Sequence, residues 1–372
     1  MATYFENIKK NFGFGCMRMP TVDGKVDTQV FCDMIDRFMD AGFNYFDTAH
    51  GYLNGQSELA LRQCLTSRYP RERYVLTNKL SDNYFSKNED IRPFFDSQLE
   101  ACGVDYFDFY LMHAQDKQLF AKYKACGAYE TALALREEGK IRHFGISFHD
   151  SAAVLEQILT EYPQIGVVQL QFNYVDYEDA AIQSRMCYEV CRKFGKPVIV
   201  MEPVKGGSLV TLPPEAQQIF DNLQGGSNAS YAIRFAAGFE DIIMVLSGMS
   251  SVEMVEENCA YMQDFQPLSQ QELAAVWQVR DIFLAQKLIP CTGCRYCTEV
   301  CPQGISIPEL FACMNGKKQF NTWGSGYYFK IINARIGSKP SDCMFCGKCE
   351  YACPQHLKIR DLLQDVRATF ET

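Results

Sequence analysis

The chain has 372 residues, of which 47% are hydrophobic and 22% are charged, and this balance indicates a globular protein rather than a disordered one. Its net charge of −9 argues against a nucleic-acid-binding role, because no broad basic face is available to neutralise phosphates. No segment approaches the roughly 18 consecutive apolar residues of a membrane-spanning helix, so we expect no membrane association.

The 17 cysteines bear on the redox compartment of the protein and on the state of its thiols. The N-terminal residues MATYFENIKKNF lack the apolar stretch of a secretion signal, and without export a disulfide framework is not expected. We therefore expect a cytoplasmic protein whose thiols are free or bound to metal. Up to residue 290 the cysteines are isolated, which is typical of small core side chains, and beyond it they cluster.

Before residue 290, short apolar runs alternate with longer amphipathic segments. Helical spacing is clear in DTQVFCDMIDRFMDAG, where apolar residues recur at Phe31, Ile35, Phe38 and Met39. The candidate strands are FGFGCM, FNYFDT, YVLTNK, FDFYLMH, HFGIS, GVVQLQFN, PVIVMEP and IIMVLSG. Eight strand–helix units in roughly 250 residues predict an α/β protein with a (β/α)8 TIM barrel. A doubly wound sheet is the alternative, disfavoured because GFGCMR lacks the third glycine of a dinucleotide fingerprint.

Several candidate strands end in a polar residue. In a parallel barrel these ends all face one side, where the loops build the active site. A purely structural role would scatter such residues along the strands, so their common position favours a functional site. They are Asp47, Lys79, His113, Ser147, Gln169 and Glu202.

Three of these residues, together with a tyrosine in the loop after FDTAHG, have the chemistry that carbonyl reduction requires. Hydride delivery to a carbonyl carbon creates an alkoxide, which must take up a proton. Tyr52 can supply it if the ammonium of Lys79 stabilises the phenolate, because free tyrosine has a pKa of about 10. Asp47 can hold that ammonium, and His113 can orient the carbonyl or relay the proton. Singly, each has a structural alternative, such as an ion pair of Lys79 with Asp47 or a core histidine at His113.

The motifs FDTAHGY, LTNKL, LMHA, GIS and VLSGMSSVEMVEEN resemble the aldo-keto reductase family, in the same order, up to about residue 265. The resemblance implies a (β/α)8 barrel that binds NADP(H) or NAD(H) without a Rossmann fold and acts on a small carbonyl compound or alcohol. It also implies that Tyr52 is the proton donor, that Lys79 and Asp47 tune it, and that His113 orients the substrate.

The same resemblance implies a set of cofactor contacts. Ser147 and Gln169 would hydrogen-bond the carboxamide, although Phe148 stands where the family commonly has asparagine. The segment PVKGGSL would hold the pyrophosphate through Pro203, Lys205, Gly206, Gly207 and Leu209. The start of the eighth helix, where the helix dipole favours phosphate, would meet the adenosine end through Gly248, Ser250, Glu257 and Asn258.

The choice between the two nicotinamides stays open at this point. Many relatives aim basic residues at the 2′-phosphate, and here those positions are Gly248 and Met254. Their absence weakens the case for NADPH, but the hydroxyls of Ser250 and Ser251 can still donate hydrogen bonds.

Two runs near the C-terminus, CTGCRYCTEVCP and CMFCGKCEYACP, share the spacing C-x2-C-x2-C-x3-C-P. This run typically binds 4Fe–4S clusters, and the fourth cysteine ligates the other cluster when two are present. A pair of structural zinc sites is the alternative, but zinc favours two separated C-x2-C pairs. The predicted ligand sets are Cys291, Cys294, Cys297 with Cys353, and Cys343, Cys346, Cys349 with Cys301.

We therefore expect two domains, a barrel at residues 1–285 and a ferredoxin-type domain at residues 286–372 that binds two 4Fe–4S clusters. The segments SIPELFACMNG, YYFKIINARIG and IRDLLQDVRATF predict helices, so the second domain is expected to be mostly helical rather than a compact βαβ ferredoxin. This tail resembles the iron–sulfur extension of a branch of the aldo-keto reductases described as predicted oxidoreductases.

The two predicted chemistries differ in electron count. Nicotinamides exchange a hydride, whereas each cluster exchanges one electron, so direct coupling needs a splitter such as flavin. No flavin motif is readable, and a bound flavin and a redox partner protein both stay open. The predicted function is NAD(P)(H)-dependent carbonyl or alcohol oxidoreduction, coupled to or regulated by the clusters. The alternative is an electron-transfer or redox-sensing iron–sulfur protein whose barrel binds nucleotide or flavin without carbonyl reduction.

Overall fold

The computed structural model of the chain describes residues 5–180, 182–223, 225–320, 326, 329–330, 332–333 and 337–371. The chain divides into two compact units. The first unit comprises Met1–Pro203 and Ala229–Gln270, and the second comprises Val204–Asn228 and Gln271–Thr372. This division differs from the expected boundary after residue 285, since two earlier segments group with the second unit. An amphipathic pattern shows that a helix buries one face, but not which neighbour covers it.

A closed barrel of eight parallel strands forms the centre of the first unit. The strands in chain order are β1 (Phe12–Gly15), β2 (Thr21–Val22), β3 (Lys25–Val26), β4 (Tyr45–Asp47), β5 (Val75–Leu80), β6 (Phe107–Gln115), β7 (Ile141–Phe148), β8 (Val167–Gln171), β9 (Val198–Met201) and β10 (Ile242–Ser247). The hairpin β2–β3 lies outside the barrel, whose order is β1-β10-β9-β8-β7-β6-β5-β4 and which closes through β4 and β1. The predicted (β/α)8 barrel and all eight of its strands are confirmed.

Helices follow the barrel strands. In the first unit they are α1 (Thr28–Asp40), α2 (Gln56–Leu61) with a π-helical turn at Arg62–Thr66, α3 (Asn88–Cys102), α4 (Lys117–Ala125), α5 (Ala128–Glu137), α6 (Ala152–Glu161), α7 (Ser184–Lys193), α9 (Asn228–Ala237) and α10 (Val252–Gln263), whereas α8 (Pro214–Asp221), which precedes α9 in the chain, belongs to the second unit. In α1 the Asp27 side chain caps the first turn by accepting from Val30 N at 3.1 Å. The predicted apolar face is confirmed, because Phe31, Ile35, Phe38 and Met39 are buried.

The barrel core extends along the strands to the predicted site, because alternate residues of each strand share one face. A buried apolar cluster includes Tyr45 on β4, Val75 on β5 and Leu111 on β6. Because residues i and i+2 of a strand share a face, Asp47 and His113 lie on the same strand faces as Tyr45 and Leu111, one layer further toward the carboxyl ends. The same register places Lys79 two layers beyond Val75. These polar side chains therefore lie directly above the packed apolar core of the barrel.

One expectation about the thiols is wrong. Cys32 on α1 and Cys64 in the π-helical turn form a disulfide, with Cα atoms 4.6 Å apart. That expectation was based on the cellular compartment, whereas pairing depends on the distance between two elements, which the sequence pattern does not reveal.

The second unit is mostly helical, as predicted. Its helices are α8 and α11 (Gln270–Ala285), α12 (Tyr296–Glu299), α13 (Ile307–Phe320), α14 (Lys348–Tyr351) and α15 (Ile359–Phe370). A separate core packs Leu310 and Phe311 of α13 with Leu363 and Val366 of α15. The predicted helix YYFKIINARIG lies mostly outside the described residues. Across the described part of the chain, no helix combines the length and hydrophobicity that crossing a membrane requires.

Candidate active site and cluster cavities

Lys79 and Asp47 form a buried ion pair at the carboxyl end of the barrel strands. The Lys79 Nζ lies 2.5 Å from Asp47 Oδ1 and also donates to the Thr48 carbonyl oxygen at 2.8 Å. Burial lowers the pKa of the Lys79 ammonium, while the negative charge and hydrogen bond of Asp47 oppose that shift. An ammonium without solvent needs such partners to remain charged.

Tyr52 lies beside this ion pair. Its hydroxyl is 3.3 Å from Lys79 Nζ, and the same Nζ is 4.9 Å from the centroid of its ring. The chain turns sharply after the tyrosine, because Leu53, Asn54 and Gly55 all have left-handed backbone angles, with φ of 52°, 55° and 82°. This turn holds the phenol over the ammonium, which is where a proton donor with a stabilised phenolate is required.

His113, on β6, is the fourth residue of the catalytic group predicted from the sequence. Its ring faces the Tyr52 ring edge-on with centroids 6.1 Å apart, and its Nδ1 lies 2.6 Å from Ser81 Oγ. Loss of solvation lowers the pKa of His113 well below its ordinary value, and the charges of Lys79 and His149 add to that effect. The imidazole is therefore neutral near physiological pH.

A local irregularity in β6 aims the histidine. The register of β6 against β7 shifts between Met112 and Gln115, and Ala114 has a φ of 54°. Its backbone N–H donates to Ser147 Oγ at 2.7 Å. Bulges of this kind re-aim side chains beside active sites.

The structure thus brings Asp47, Tyr52, Lys79 and His113 together. Ser147 and Gln169, predicted to bind the carboxamide, are both buried at the same strand ends. Gln169 Nε2 donates to Asp47 Oδ2 at 3.0 Å, so Gln169 also positions the carboxylate. The carboxamide contacts stay predictions.

At the start of α10, the residues predicted to meet the adenosine end differ in exposure. Ser250 and Glu257 are exposed, whereas Asn258 is buried, donates to Ser247 Oγ at 3.3 Å and accepts from Tyr261 OH at 2.5 Å. Gly248 leaves room for a neighbour, since a Cβ there would lie 3.2 Å from the Arg18 side chain. A basic residue therefore reaches this position from the loop after β1.

The segment predicted to hold the pyrophosphate is divided between the units. Pro203 ends one stretch of the first unit, and the following residues belong to the second. Lys205 is only 2% exposed and donates to Gln355 Oε1 at 3.4 Å, while Leu209 is fully buried. Gly206, with a φ of 64°, packs so closely that a Cβ there would lie 2.3 Å from the Thr292 carbonyl oxygen. Thr292 stands between two of the predicted cluster ligands.

The eight cysteines of the two runs line two cavities of the second unit. One cavity is lined by Cys291, Cys294, Cys297 and Cys353, and the other by Cys343, Cys346, Cys349 and Cys301. In each cavity the fourth cysteine comes from the other run, which is the grouping that the spacing predicts. The other walls are largely apolar, including Ile307 in both cavities.

The donor set fits an iron–sulfur cluster. Each cavity is lined by four cysteines, whereas a single zinc ion draws its thiolates to about 2.3 Å from one point. Among the described residues, no three His, Cys, Asp or Glu side chains converge on such a single-ion position. Assignment of the eight cysteines as ligands stays a prediction.

Sequence reasoning missed three residues of the barrel site. These are Thr48, whose carbonyl accepts from Lys79, Ser81, which pairs with His113, and Arg18, which lies beside Gly248. A signal was available only for Ser81, because it follows Lys79 by two residues and strand alternation continues toward the same face. The other two contacts depend on a backbone atom and on a neighbouring loop.

Comparison with known proteins covers both units. Residues 11–281 match the family described as Aldo/keto reductase family, and residues 290–357 match the 4Fe-4S dicluster domain. An NADH-specific methylglyoxal reductase from Escherichia coli (strain K12) is 27% identical over 293 residues, 65% of this chain and 85% of the relative. An L-galactose dehydrogenase from Arabidopsis thaliana is 27% identical over 277 residues, 69% of this chain and 85% of the relative.

Solved structures resemble the same part of the chain. An aldo-keto reductase from Klebsiella pneumoniae in complex with NADPH superposes with a TM-score of 0.59 at 20% identity, over 73% of this chain and 95% of that one. The holo form of an aldo-keto reductase from Bacillus halodurans superposes with a TM-score of 0.58 at 22% identity, over 73% of this chain and 92% of that one. Likeness at this level of identity shows a common fold.

Proposed function

The chain belongs to the aldo/keto reductase family and carries a 4Fe-4S dicluster domain, and from this premise we propose that its barrel transfers hydride between a nicotinamide cofactor and a small carbonyl compound or alcohol. The observation that carries the proposal is the buried line of contacts from Asp47 through Lys79 to the Tyr52 hydroxyl. A structural ion pair alone has no need of a phenol placed over its ammonium.

Tyr52 is proposed to donate the proton in the direction of reduction. The positive charge of Lys79, 3.3 Å away, stabilises the phenolate left behind and so lowers the free energy of proton transfer. Asp47 keeps the ammonium charged despite its burial, and Gln169 holds the second carboxylate oxygen. In the direction of oxidation the same phenolate takes the proton back.

His113 is proposed to orient the carbonyl oxygen. When the Ser81 hydroxyl donates to Nδ1, the neutral ring carries its hydrogen on Nε2, which can then donate to the substrate. A neutral imidazole suits this role because it cannot compete with Tyr52 as the acid.

The nicotinamide supplies the hydride when it is bound. Ser147 and Gln169 would hold its carboxamide, and Arg18 beside Gly248 would supply a positive charge to the adenosine end. The E. coli relative is named as NADH-specific and the K. pneumoniae structure contains NADPH, so both cofactors are represented among similar proteins. We propose that this chain uses one of the two.

We propose further that the clusters, which supply one-electron transfer when present, regulate the barrel. The loop of Lys205 and Gly206, expected to hold the pyrophosphate, packs on Thr292 and Gln355 beside the first cluster cavity. Collapse of that cavity would therefore move this loop of the second unit.

The test of hydride transfer is nicotinamide oxidation by anaerobically purified protein with a panel of aldehydes. Tyr52→Phe is expected to lower kcat by about 10²–10⁴-fold, the usual range for a lost general acid. Tyr162→Phe is the matched control, since it removes a tyrosine hydroxyl that bonds Glu130 on α5.

Two outcomes would contradict the proposal. If the parent protein and Tyr52→Phe are equally inert, the hydride-transfer proposal fails and the alternative of an electron-transfer or redox-sensing protein is favoured. If both reduce aldehydes equally fast, the tyrosine is not the acid.

A further inference from the structure

Strand β5 extends further toward the site than its neighbour β4. The register between the two strands ends where Asp47 pairs with Thr77, and Lys79 lies two residues beyond that point. The backbone N–H of Lys79 donates instead to Asn78 Oδ1 at 2.8 Å, and its carbonyl oxygen accepts from Gln98 Nε2 at 3.0 Å. Two amide side chains therefore hold the backbone of this lysine where its pairing with β4 has ended.

The carboxylate of Glu58, on α2, fixes both amides. Its Oε1 accepts from Asn78 Nδ2 at 2.8 Å and from Gln98 Nε2 at 3.3 Å. The Tyr110 hydroxyl donates to Gln98 Oε1 at 2.6 Å and so holds the other side of that amide. All four side chains are buried. A hydrogen-bonded network closed to solvent therefore connects α2 with the backbone of Lys79, and such networks are rigid when every member is satisfied.

The second oxygen of the same carboxylate holds the loop that carries Tyr52. Glu58 Oε2 lies 2.7 Å from His50 Nδ1, and this hydrogen bond raises the pKa of His50 above its ordinary value. The His50 ring also packs edge-on against the rings of Tyr84 and Phe94, with centroids 4.6 and 5.1 Å apart. Because His50 precedes Tyr52 by only two residues, a fixed imidazole restricts the backbone from which the tyrosine extends.

The location of this carboxylate needs an explanation, because the cost of removing a charge from water can exceed what its partners return. An apolar side chain of similar volume would often be as stable. The buried carboxylate of Asp108 lies at the amino end of β6, away from the site, and pairs with Arg71 at 2.6 Å. Glu58, in contrast, bonds the residues beside Lys79 and Tyr52, which favours a role in the site.

We propose that Glu58 is a positioning residue that sets the distance between the Tyr52 hydroxyl and the Lys79 ammonium, 3.3 Å in this structure. One carboxylate oxygen holds the end of β5 through Asn78, and the other holds the loop through His50. Because both oxygens belong to one planar group, the two segments cannot shift independently. The inference rests on the proposed function for its effect on catalysis, and Glu58 takes no part in the chemical step.

The first test measures kcat and KM for nicotinamide and aldehydes with the full chain, purified anaerobically. Glu58→Met keeps a side chain of similar length without the carboxylate and is expected to lower kcat about 10- to 100-fold, as small misplacements of reacting groups do, with little change in the nicotinamide KM. Glu58→Gln can still accept from Asn78 and should recover most of this loss. Asp108→Asn, at a buried carboxylate of the opposite barrel end, is the control and should leave kcat unchanged.

A double-mutant cycle separates positioning from a general loss of stability. If Glu58 acts through Tyr52, Glu58→Met lowers kcat in the parent but has little further effect in Tyr52→Phe, because the hydroxyl that it positions is already absent. A purely structural role would lower kcat by the same factor in both backgrounds, and that result overturns the proposal. Equal kcat in Glu58→Met and in the parent overturns it as well.

A second readout needs no turnover. The ammonium resonance of Lys79 is followed by NMR in protein containing lysine enriched in nitrogen-15 at the ζ position, and it is assigned through Lys79→Met. Tyr52→Phe and Glu58→Met should each shift this resonance, and the double variant should show no additional shift. If the parent reduces no aldehyde, hydride transfer fails and this resonance decides alone. An unshifted or additive resonance then rejects positioning by Glu58, and a non-additive one supports it.

His50 provides the decisive variants if Glu58→Met does not fold. His50→Phe keeps an aromatic ring against Tyr84 and Phe94 but cannot donate to the carboxylate, so kcat should fall and the Lys79 resonance should shift. His50→Asn retains an N–H donor close to the position of Nδ1 and should behave more like the parent. A parent-like kcat and resonance in His50→Phe would reject the proposal.

Discussion

Lys79 is one lysine among many in the sequence, but its surroundings make it unusual. Its ammonium is buried between the Asp47 carboxylate and the Thr48 carbonyl, with the Tyr52 hydroxyl above it. Burial lowers its pKa, and the carboxylate keeps it protonated near neutral pH. At the scale of single residues, the chemistry therefore depends on a charge held without solvent.

The pH dependence of reduction follows from this lysine. Because burial lowers its pKa, the ammonium is lost at a lower pH than that of a free lysine, and kcat should fall as pH rises through that value. Lys79→Met is expected to remove this alkaline limb and to lower kcat by about 10²-fold or more.

The measurement is kcat as a function of pH, with near-ultraviolet circular dichroism to confirm that the variant is folded. Lys122→Met is the control, since it removes a partly exposed ammonium that pairs with Asp82. An alkaline limb that persists in Lys79→Met would show that another group titrates.

Two short irregular elements position the rest of the machinery. The bulge in β6 turns His113 toward Tyr52, and its left-handed Ala114 donates to Ser147. The loop after β9 contains Lys205 and Gly206, and Gly206 packs on the backbone between the first two cysteines of the first run. Function at this scale depends on departures from regular strand and helix geometry.

Gly206→Ala tests the loop. Its Cβ would lie 2.3 Å from the Thr292 carbonyl oxygen, so the loop or the cysteine run must shift. We expect the second unit to lose about 1–3 kcal/mol of stability, and its clusters to be lost faster in air.

Gly195→Ala is the matched control. Gly195 has a φ of 63°, close to the 64° of Gly206, but a Cβ there would meet nothing within 4 Å. The two variants thus share the backbone cost and differ in the clash. Equal thermal unfolding and equal cluster lifetimes in both variants would contradict the proposed contact.

At the scale of the whole molecule, each unit has its own core, and the two cores are stabilised differently. The first unit packs an apolar barrel interior. The core of the second unit includes cluster-run cysteines, namely Cys297, Cys349 and Cys353, alongside Leu310 and Leu363. Its packing therefore depends on what those thiolates bind, because metal-binding free energy contributes to folding.

Removal of iron should accordingly act on one unit only. Chelation under reducing conditions is expected to abolish the unfolding transition of the second unit and to leave that of the barrel, as followed by calorimetry. Restoring iron and sulfide should recover both transitions. A single transition that moves as a whole on chelation would show that the two units unfold together.

Much of the candidate site could be predicted because it follows strand periodicity. Asp47, Lys79 and His113 end strands whose apolar alternation is visible in the sequence, and parallel strands bring their carboxyl ends to one face. Ser81 and Arg18 could not be predicted with equal force, because their partners lie on other strands or loops. The Cys32–Cys64 disulfide was missed for the same reason.

By itself, the sequence determined the periodic features of this protein: eight strands, an amphipathic helix such as α1, and two cysteine runs with cluster spacing. These depend on interactions between residues close along the chain, so local pattern is sufficient. Only the tertiary structure decided that the loop of Gly206 packs on Thr292 and that cysteines of both runs line each cavity. Such contacts depend on how segments distant along the chain pack in space, and the spacing of residues in the sequence does not reveal that packing.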